Sequence, residues 1–456
     1  MPTELRSDGD LVTADALRQA IADRTANVGI VGAGYVGLPL ALSFAKAGYK
    51  VRVVDVDAER VRRLCAGESY IRDVSSEALA AQVKAGRFDA TTNYAALSDA
   101  DIIFVAVPTP FDRAKQPDLR YIVQSAESIS AILHPGQLIV LESTTYPGTT
   151  NEVMRPILER NGLRAGVDFY LAFSPERIDP GNKTYTIENT PKVVGGIDAE
   201  STSLATAALQ VVTEGHVHPV SSARVAELTK LLENTFRAVN IALVNELAML
   251  CDRMQIDIWE VIEAAATKPY GFMPFYPGPG VGGHCIPVDP YYLSWKAREF
   301  DFHTRFIELA AETNLGMPFF TVGRIRKQLN DAGVSLRGAN VLVLGAAFKK
   351  DIDDARESAA IRVMEILNAE GAAVEYHDPF VPSVRLATPI FGSDGQHVAL
   401  RSVALDDARL RATDCVVILV AHTALDYDKI LGAAPRVFDA VNATRGKKGR
   451  AQVERL

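Results

Sequence analysis

Two stretches of this 456-residue chain alternate short apolar runs with segments in which apolar residues recur at helical spacing. In the first stretch, loop or helical sequence bounds each run, which predicts buried strands. Helices are predicted over residues 13–22, before the first strand, and 38–47, after it. Strands that alternate with helices form parallel sheets. The predicted strands cover residues 27–31, 49–55, 101–107 and 137–141.

The second stretch repeats this organisation towards the end of the chain. In both stretches the second apolar run ends in an aspartate, Asp55 in one and Asp378 in the other. The spacings between runs differ, so the two stretches share an organisation and are not a strict repeat. The predicted strands of the second stretch cover residues 340–345, 373–378 and 412–420.

One long amphipathic helix is predicted between the two stretches, over residues 225–254. At 1.5 Å per residue it would span roughly 45 Å, more than one layer of a small domain needs. Such a helix is suited to joining domains or to packing against a second subunit. Its apolar positions are Leu228, Leu231, Leu232, Phe236, Val239, Ile241, Val244, Leu247 and Leu250.

These patterns predict an α/β protein with two Rossmann-like domains, each built on a parallel sheet, joined by a central helical bridge that contains the long helix. We expect an N-terminal extension over residues 1–26 and a first Rossmann-like domain over 27–220. The helical domain is expected over 221–318 and the second Rossmann-like domain over 319–456.

A dinucleotide-binding motif follows the first predicted strand. Gly32 permits a tight turn, Gly34 lets the backbone approach a pyrophosphate, and Gly37 lets helix and strand pack closely. The glycine pattern alone also fits a turn that binds nothing. Asp55 ends the second strand, where a carboxylate accepts hydrogen bonds from ribose hydroxyls and would repel a 2′-phosphate. The combination predicts NAD as cofactor and disfavours NADP.

The second Rossmann-like start lacks this glycine triplet, so we expect no second dinucleotide there. Lys349, Lys350 and Arg356 follow it and are candidates for gripping the phosphates of a nucleotide substrate. Acidic neighbours surround them, and spacing alone favours the alternative of a solvated charge cluster.

The loop over residues 277–289 is too rich in glycine and proline for a helix or a good strand, and it contains Cys285 and Asp289. Glycines remove side chains that would block a substrate, so a thiol here is a candidate nucleophile. The alternative is an inert buried cysteine. His284 is expected to be structural because adjacent side chains in an extended loop point apart. The other cysteines, Cys65, Cys251 and Cys415, are expected to be small core residues.

A thiol nucleophile needs an activating cation, because only a few per cent of a free thiol is ionised at neutral pH. Lys230 is the candidate, with Asn234 one turn later on the same helix face. Periodicity alone equally fits an exposed polar stripe.

Three polar segments follow predicted strands, where open α/β sheets bind ligands. They bring Thr109 and Thr144 to the ends of the third and fourth predicted strands, and Glu176 and Arg177 to the end of a further short apolar strand that runs into Phe173. Ordinary turn chemistry is the alternative explanation.

The net charge of −8 disfavours a general affinity for nucleic acid or for an anionic membrane surface. The four cysteines lack the spacing of a metal site, so no metal is predicted, and a reduced cytoplasmic setting is expected. The polar, acidic start does not resemble a signal peptide, and no apolar run reaches the length of a membrane span.

Taken in order, these motifs resemble the UDP-glucose/GDP-mannose dehydrogenase family, over nearly the whole chain from Asn27 onward. The segment 285–293 most resembles the bacterial UDP-N-acetylglucosamine 6-dehydrogenase branch, with UDP-N-acetylmannosamine dehydrogenases as near neighbours. The motifs that carry the resemblance are Gly32–Leu38, Val107–Pro110, Ser143–Thr144, Phe173–Arg177, Lys230 with Asn234, Gly282–Asp289 and Phe348 to Ser358.

The resemblance implies oxidation of the C6 alcohol of a UDP-sugar to a carboxylate with two NAD, by a homodimer that contacts through the central helix. Cys285 would capture the C6 aldehyde, Lys230 and Asn234 would stabilise the C6 oxygen, and Asp289 with Thr144 and Glu176 would order water. The implied cofactor contacts are Gly32, Gly34, Tyr35, Val36, Gly37, Asp55, Arg60, Thr109, Thr144 and Arg356. The implied substrate contacts are Glu176, Arg177, Lys230, Asn234, Phe275, Tyr276, Gly280 and Lys349.

Two other functions remain open at the level of sequence. A two-electron dehydrogenase of the 3-hydroxy acid or 6-phosphogluconate type would use Lys230 and Asn234 but not Cys285, and would produce one NADH per substrate instead of two. A regulatory protein would bind NAD without consuming it, which the cysteine loop disfavours.

Overall fold

The computed structural model describes residues 13–71, 73–112, 116–178, 182, 184–283, 285–388 and 396–456. The chain forms two compact units. The first comprises the chain up to Glu233 together with Trp295–Asp301, and the second comprises Asn234–Ser294 and Phe302–Leu456. His284 and the first twelve residues of the predicted N-terminal extension lie outside the described residues.

The first unit is built on one sheet with strand order β3-β2-β1-β4-β5-β6-β7-β8, parallel except where β6 meets β7. Its strands are β1 (Asn27–Val31), β2 (Lys50–Val54), β3 (Phe88–Thr91), β4 (Ile102–Val105), β5 (Leu138–Leu141), β6 (Tyr170–Phe173), β7 (Lys192–Gly196) and β8 (Val217–Pro219). Its helices are α1 (Ala14–Ala22), α2 (Gly37–Lys46), α3 (Ala58–Cys65), α4 (Ser76–Lys84), α5 (Arg120–Ser130), α6 (Arg155–Leu158) and α7 (Ala199–Gln210).

The strand order reverses between β1 and β4, and open α/β sheets bind ligands at the carboxyl ends of the strands at such a point. Apolar side chains cover both faces of the sheet in two separate clusters, which explains why its strands read as continuous apolar runs. Because β1, β2, β4, β5 and β6 are parallel, the segments that follow them emerge at the same edge of the sheet.

Helix α8 (Ala223–Met254) is continuous from the first unit into the second. The second unit adds the helices α9 (Ile258–Ala266), α10 (Asp289–Ala297), whose last turn belongs to the first unit, α11 (Arg305–Asp331), α12 (Ala359–Ala369), α13 (Asp407–Ala412) and α14 (Tyr427–Ala433). Its strands are β9 (Asn340–Leu344), β10 (Ala373–His377), β11 (Ser383–Thr388), β12 (Gln396–Arg401), β13 (Cys415–Ile418), β14 (Arg436–Asp439) and β15 (Gln452–Arg455).

A parallel sheet of order β10-β9-β13-β14-β15 forms the second Rossmann-like region, and β11 and β12 pair as a separate antiparallel hairpin. The predicted fold class is confirmed: two α/β sheets, the first parallel except at β6–β7 and the second fully parallel, with a helical region between them in the sequence. Each predicted strand is present, with ends that differ by at most a few residues. The predicted N-terminal helix begins after Thr13, whose hydroxyl accepts a hydrogen bond from Ala16 N–H.

Candidate active site

The turn between β1 and α2 has the geometry that the glycine motif predicts. Gly32 adopts φ +96°, and a Cβ added there would lie 2.4 Å from the carbonyl oxygen of Ala106. A Cβ on Gly37 would lie 1.9 Å from the carbonyl oxygen of Gly32. At Gly34 an added Cβ would meet no atom within 4 Å. The protein itself therefore requires the first and third glycines, whereas the middle one fits the close approach of a pyrophosphate.

Asp55 follows β2 and is buried, with one carboxylate oxygen accepting the Ala33 N–H at 2.8 Å and the other accepting Asp57 N–H at 2.9 Å. This ties the strand end to the glycine turn. A carboxylate has about four acceptor positions, so these two hydrogen bonds leave capacity for the ribose hydroxyls of a dinucleotide. The residues of this turn fit NAD.

Arg60 lies beside this carboxylate, with its Nη1 3.8 Å from Asp55 Oδ2. Its guanidinium also lies 5.5 Å from the centre of the Tyr70 ring, and the Tyr70 hydroxyl donates to the Ala33 carbonyl at 2.7 Å. Tyr70 was not predicted from the sequence, where no motif distinguishes it. Tyr35 is exposed and Val36 is partly exposed, both immediately before α2.

The ends of β4 and β5 are joined by Ser143, whose Oγ accepts Val107 N–H at 2.9 Å and donates to the Val107 carbonyl at 2.8 Å. Thr109 and Thr144, the predicted cofactor contacts on these two segments, are both partly exposed. Ser143 thus fixes the two polar segments to each other at the edge of the sheet.

Glu176 is buried after β6, and its carboxylate is held by three donors. Oε1 accepts the N–H groups of Arg177 (2.6 Å) and Ile178 (2.8 Å), and Oε2 accepts Lys192 Nζ at 2.8 Å. Burial alone would raise the pKa of Glu176, but the Lys192 ammonium and these hydrogen bonds outweigh it and lower the pKa. These contacts hold the Glu176 carboxylate in place and favour its ionised form.

Arg177 is paired with a carboxylate of the long helix. It forms a two-oxygen ion pair with Glu233 of α8, the shorter contact being 2.6 Å, and donates to the Pro191 carbonyl at 2.8 Å. Its guanidinium is therefore committed to protein partners in this structure, while its role as a substrate contact remains a prediction.

Glu227 on α8 clamps the turn that follows Thr144. Its carboxylate accepts Gly148 N–H at 2.6 Å and both the N–H and the hydroxyl of Thr150, at 2.9 and 2.7 Å. Burial raises the pKa of Glu227, against these hydrogen bonds. Glu227 was missed from the sequence, although its position three residues before Lys230 on the same helix face was a usable signal.

Lys230 and Asn234 are both buried, with exposed fractions of 8% each, so the alternative of an exposed polar stripe is wrong. Asn234 Nδ2 donates to Asp289 Oδ2 at 2.5 Å. Asp289 begins α10, and its own N–H donates to the Cys285 carbonyl at 2.8 Å. The structure therefore brings together Asn234, Asp289 and Cys285, three of the predicted catalytic residues, within the second unit.

The Cys285 side chain is partly exposed at the end of the glycine loop. The glycines before it make room for the protein itself, because Cβ atoms on Gly282 and Gly283 would lie 2.8 and 3.1 Å from Phe348. The expectation that these glycines admit a substrate is corrected to that extent. Phe348 begins the motif that runs to Ser358, so two distant family motifs pack against each other in the second unit.

The rest of the loop is fixed by amides. Gly278 N–H donates to Asn245 Oδ1 at 3.0 Å, and Asn245 Nδ2 donates to Asn314 Oδ1 at 2.9 Å. Gly280 has φ +132°, and a Cβ there would lie 3.1 Å from Ala359 Cβ. These contacts fix the position of the part of the loop that precedes Cys285.

The two predicted aromatic substrate contacts lie at the start of this loop. Phe275 packs edge-on against Phe236 with ring centres 5.7 Å apart, and Tyr276 stacks on Trp259 at 6.0 Å. Half of the Tyr276 side chain remains exposed. The Trp259 ring therefore fixes the orientation of the half-exposed Tyr276 ring.

The basic residues of the second Rossmann-like start have different surroundings. Lys349 is partly exposed, and Arg356 forms an ion pair with Asp354 at 2.6 Å while remaining half exposed. Asp378, the counterpart of Asp55, accepts hydrogen bonds from Ala346 N–H and Ala347 N–H and contacts His422 Nε2 at 3.0 Å.

The remaining cysteines depart from prediction at one position. Cys251 and Cys415 are buried as expected, but Cys65 is exposed. It is the last residue of α3, and its thiol donates to the Ala90 carbonyl of the edge strand β3 at 3.2 Å. Among the described residues, no group of three or more histidine, cysteine or acidic side chains is arranged to bind a metal. None of the helices in the described ranges combines the length and apolar composition that a membrane span requires.

Comparison with known proteins identifies relatives along the chain. Three models of the UDP-glucose/GDP-mannose dehydrogenase family match: its NAD binding domain at residues 26–212, its central domain at 224–315 and its UDP binding domain at 342–446. The predicted NAD cofactor and the predicted family resemblance are thereby confirmed.

Among curated relatives, UDP-N-acetyl-D-glucosamine 6-dehydrogenase of Pseudomonas aeruginosa is 40% identical over 78% of this chain and 83% of its own length. UDP-N-acetyl-D-mannosamine dehydrogenase of Pyrococcus horikoshii is 35% identical over 78% of this chain and 84% of its length. A solved structure of UDP-D-ManNAc dehydrogenase from Pyrococcus horikoshii superimposes with a TM-score of 0.82 at 30% identity, covering 93% of this chain and 98% of that one.

Proposed function

The chain belongs to the UDP-glucose/GDP-mannose dehydrogenase family, and from this we propose that it oxidises C6 of UDP-N-acetylglucosamine to the carboxylate through a covalent adduct on Cys285. The family assignment makes the protein an NAD-dependent nucleotide-sugar dehydrogenase. The choice of reaction path rests on one observation, the linked arrangement of Asn234, Asp289 and the Cys285 backbone.

The first unit supplies the cofactor site. The Gly32–Gly37 turn and the N-terminus of α2 would receive the pyrophosphate, and Asp55 would accept the ribose hydroxyls. When bound, NAD supplies the hydride acceptor for each of two oxidations. Arg60, Thr109, Thr144 and Arg356 are further proposed contacts.

The thiol divides a four-electron oxidation into two manageable stages. Cys285 Sγ would add to C6 of the aldehyde formed in the first oxidation, giving a thiohemiacetal. Oxidation of that adduct leaves a thioester, from which water releases the carboxylic acid and the thiol. Asn234 and Lys230 would donate hydrogen bonds to the C6 oxygen as it gains negative charge.

Asp289 is proposed to orient the attacking water. The hydrogen bond from Asn234 Nδ2 fixes one of its oxygens, so the direction of the other is set as well. Thr144 and Glu176, both in the first unit, are proposed to help order the same water.

The nucleotide and the sugar are assigned on different grounds. The match of residues 342–446 to a UDP binding domain supports a UDP-sugar. Lys349, Phe275, Tyr276 and Gly280 are the proposed contacts of the second unit, and Glu176 and Arg177 those of the first. Similarity favours the N-acetylglucosamine relative over the N-acetylmannosamine relative, at 40% and 35% identity over alignments of 356 and 355 residues.

The direct test is an assay of the purified protein with NAD and a panel of UDP-glucose, UDP-N-acetylglucosamine, UDP-N-acetylmannosamine, UDP-N-acetylgalactosamine and GDP-mannose. We expect two NADH per molecule of UDP-N-acetylglucosamine and the highest kcat/KM with that sugar. One NADH per sugar would instead indicate a two-electron dehydrogenase. A higher kcat/KM with UDP-N-acetylmannosamine or UDP-glucose would identify that sugar as the substrate of the same reaction.

Cys285→Ser tests the nucleophile. We expect only slow or partial oxidation, because a serine hydroxyl is a much weaker nucleophile than a thiolate. Cys65→Ser is the matched control, since Cys65 is exposed and far from this loop in the sequence. Full turnover by Cys285→Ser would exclude the covalent path.

We also propose that the protein is a homodimer through α8. One face of this helix exposes large apolar side chains along its length, including Leu232 (63% exposed) and Leu243 (54%), and monomers rarely expose such a continuous apolar stripe. The other members of the stripe are Leu228, Phe236, Leu247, Leu250 and Met254. Light scattering should give a dimer for the wild type and a monomer for Leu243→Lys; a wild-type monomer at micromolar concentration would refute the proposal.

A further inference from the structure

Three charged side chains form a cluster in the interior of the first unit. Lys192, the first residue of β7, places its Nζ 2.8 Å from Glu176 Oε2 and 3.8 Å from Glu142 Oε1. All three side chains are almost fully buried, with exposed fractions of 6% or less. Charges are removed from water at a large cost, which only close opposite charges and hydrogen bonds offset.

The charges of this cluster do not balance when every group is ionised. Two carboxylates face one ammonium, so one negative charge would remain uncompensated in the interior. The charged groups acting on Glu142 are Lys192 from β7 and Glu176 from the segment after β6. A bound proton on one of the two carboxylates removes the imbalance.

Hydrogen bonding distinguishes the two carboxylates. Glu176 accepts three hydrogen bonds from Arg177, Ile178 and Lys192, which favour its ionised form. Within the described residues, neither carboxylate oxygen of Glu142 has a hydrogen-bond partner. Burial, together with the Glu176 charge and against the pull of Lys192, raises the pKa of Glu142 to about 7. The proton therefore belongs on Glu142.

We propose that Glu142 and Lys192 are positioning residues for Glu176: Lys192 fixes the Glu176 carboxylate, and Glu142 binds and releases the proton that sets the charge of the cluster. The inference rests on the proposed function, in which Glu176 contacts the substrate or a water. While Glu142 is protonated, the ammonium belongs to Glu176 alone. Once Glu142 is ionised, both carboxylates compete for it, which loosens Glu176.

The cluster also lies at the correct edge of the sheet. Glu142 directly follows β5 and shares a polar segment with Thr144, and Glu176 follows β6, the neighbouring strand, in which Phe173 pairs with Leu141. Three of the roughly four acceptor positions of the Glu176 carboxylate are filled by protein, which leaves one for a substrate hydroxyl or a water. Glu176 is thus suited to accept a hydrogen bond from the substrate or a water while it stays ionised. It is not suited to act as a base that takes up a proton.

The test is Glu142→Gln, whose neutral side chain mimics the protonated carboxyl. We expect the variant and the wild type to have similar kcat/KM for the sugar below about pH 6, and to diverge by about threefold or more above pH 8, where the wild-type Glu142 is ionised. A purely structural role would change kcat/KM by a constant factor at every pH. A constant ratio across this range would therefore overturn the proposal.

A second measurement does not depend on turnover. An infrared difference spectrum between pH 6 and pH 8 should show the carbonyl stretch of a buried carboxylic acid that is lost as the pH rises, and the band should be absent in Glu142→Gln. If the wild type oxidises none of the panel of sugars, the proposed function fails, and the infrared band still decides whether Glu142 carries the proton. A band unchanged in Glu142→Gln would refute the assignment.

Glu127→Gln is the matched control, since Glu127 is a half-exposed carboxylate of the same unit that pairs with Arg160. It should alter neither the ratio nor the band. Lys192→Met would leave two buried carboxylates without a counter-ion, so we expect it to destabilise the first unit.

Discussion

The two Rossmann-like regions begin with the same backbone turn and use it differently. Gly32 (φ +96°) and Gly345 (φ +91°) each follow the first strand of their sheet, and each donates its N–H to the carbonyl of the last residue of the neighbouring strand. Ala33 and Ala346 then donate to Asp55 and Asp378, at 2.8 and 2.7 Å. The two regions diverge after this point.

In the first region the turn stays available for a ligand. Gly34 and Gly37 follow, and Asp55 accepts two backbone hydrogen bonds, which leaves acceptor capacity. In the second region, Ala347 N–H, Phe380 N–H and Val381 N–H also donate to Asp378.

His422 completes the second arrangement. Its Nδ1 accepts Asp351 N–H at 2.9 Å, so Nε2 carries the hydrogen and donates to Asp378. An aspartate after the second strand therefore does not by itself indicate a ribose site. What indicates one is unfilled acceptor capacity next to a glycine-rich turn.

The largest expected effect comes from Gly37→Ala. The added Cβ would collide with the Gly32 carbonyl, so backbone must shift, and we expect a loss of roughly 3 kcal/mol in the stability of the first unit. Gly34→Ala is the control, since its Cβ meets no protein atom, and it should fold normally but bind NAD more weakly. Thermal unfolding and calorimetric NAD binding separate the two outcomes. Normal stability of Gly37→Ala would contradict the packing role.

Asp378→Asn should destabilise the second unit without affecting NAD. An amide has only one acceptor oxygen, so one group of backbone donors loses its partner, at a cost of about 2 kcal/mol. Hydrogen exchange at β9 and β10 would report the loss, with β1 and β2 as internal control. Weakened NAD binding in this variant would contradict the assignment of Asp378 to the stability of the second unit alone.

The pH dependence of that loss has a defined sign. Burial opposes ionisation of Asp378, but the hydrogen bonds from His422 and the backbone outweigh it and hold its pKa well below the ordinary value. A depressed folded-state pKa stabilises the protein above the unfolded pKa, and the stabilisation is lost as the pH falls through the folded pKa. The difference between wild type and Asp378→Asn should be full at neutral pH and shrink in acid. A difference that grows in acid would contradict the assignment.

Asp55→Asn should have the smallest effect. It keeps one oxygen for Ala33 N–H and loses the charge that receives the ribose hydroxyls, so we expect NAD affinity to fall by about 1 kcal/mol, roughly fivefold. Discrimination against NADP should weaken as well, because the repulsion of a 2′-phosphate is removed. Titration with both cofactors measures this, and an unchanged preference for NAD would assign the discrimination to other residues.

The fold was largely predictable because its signals are local. Short apolar runs and helical spacing identified β1, β2, β4 and β5 of the first sheet, β9, β10 and β13 of the second, and α8, and the glycine pattern with Asp55 identified the cofactor turn. The prediction for Cys65 was wrong, because the helical spacing does not show that α3 ends beside an edge strand, where a side chain that faces the sheet stays exposed to solvent.

The sequence by itself determined the order of the elements, the NAD turn and the identity of the cysteine loop, since each depends on residues close together in the chain. Only the tertiary structure decided what surrounds them. In the sequence nothing distinguishes Lys192 from other residues that begin a strand. In the structure its ammonium lies close to both Glu142 and Glu176. Burial, ion pairing and the resulting proton equilibria arise between residues that are distant in sequence, and so no local pattern encodes them.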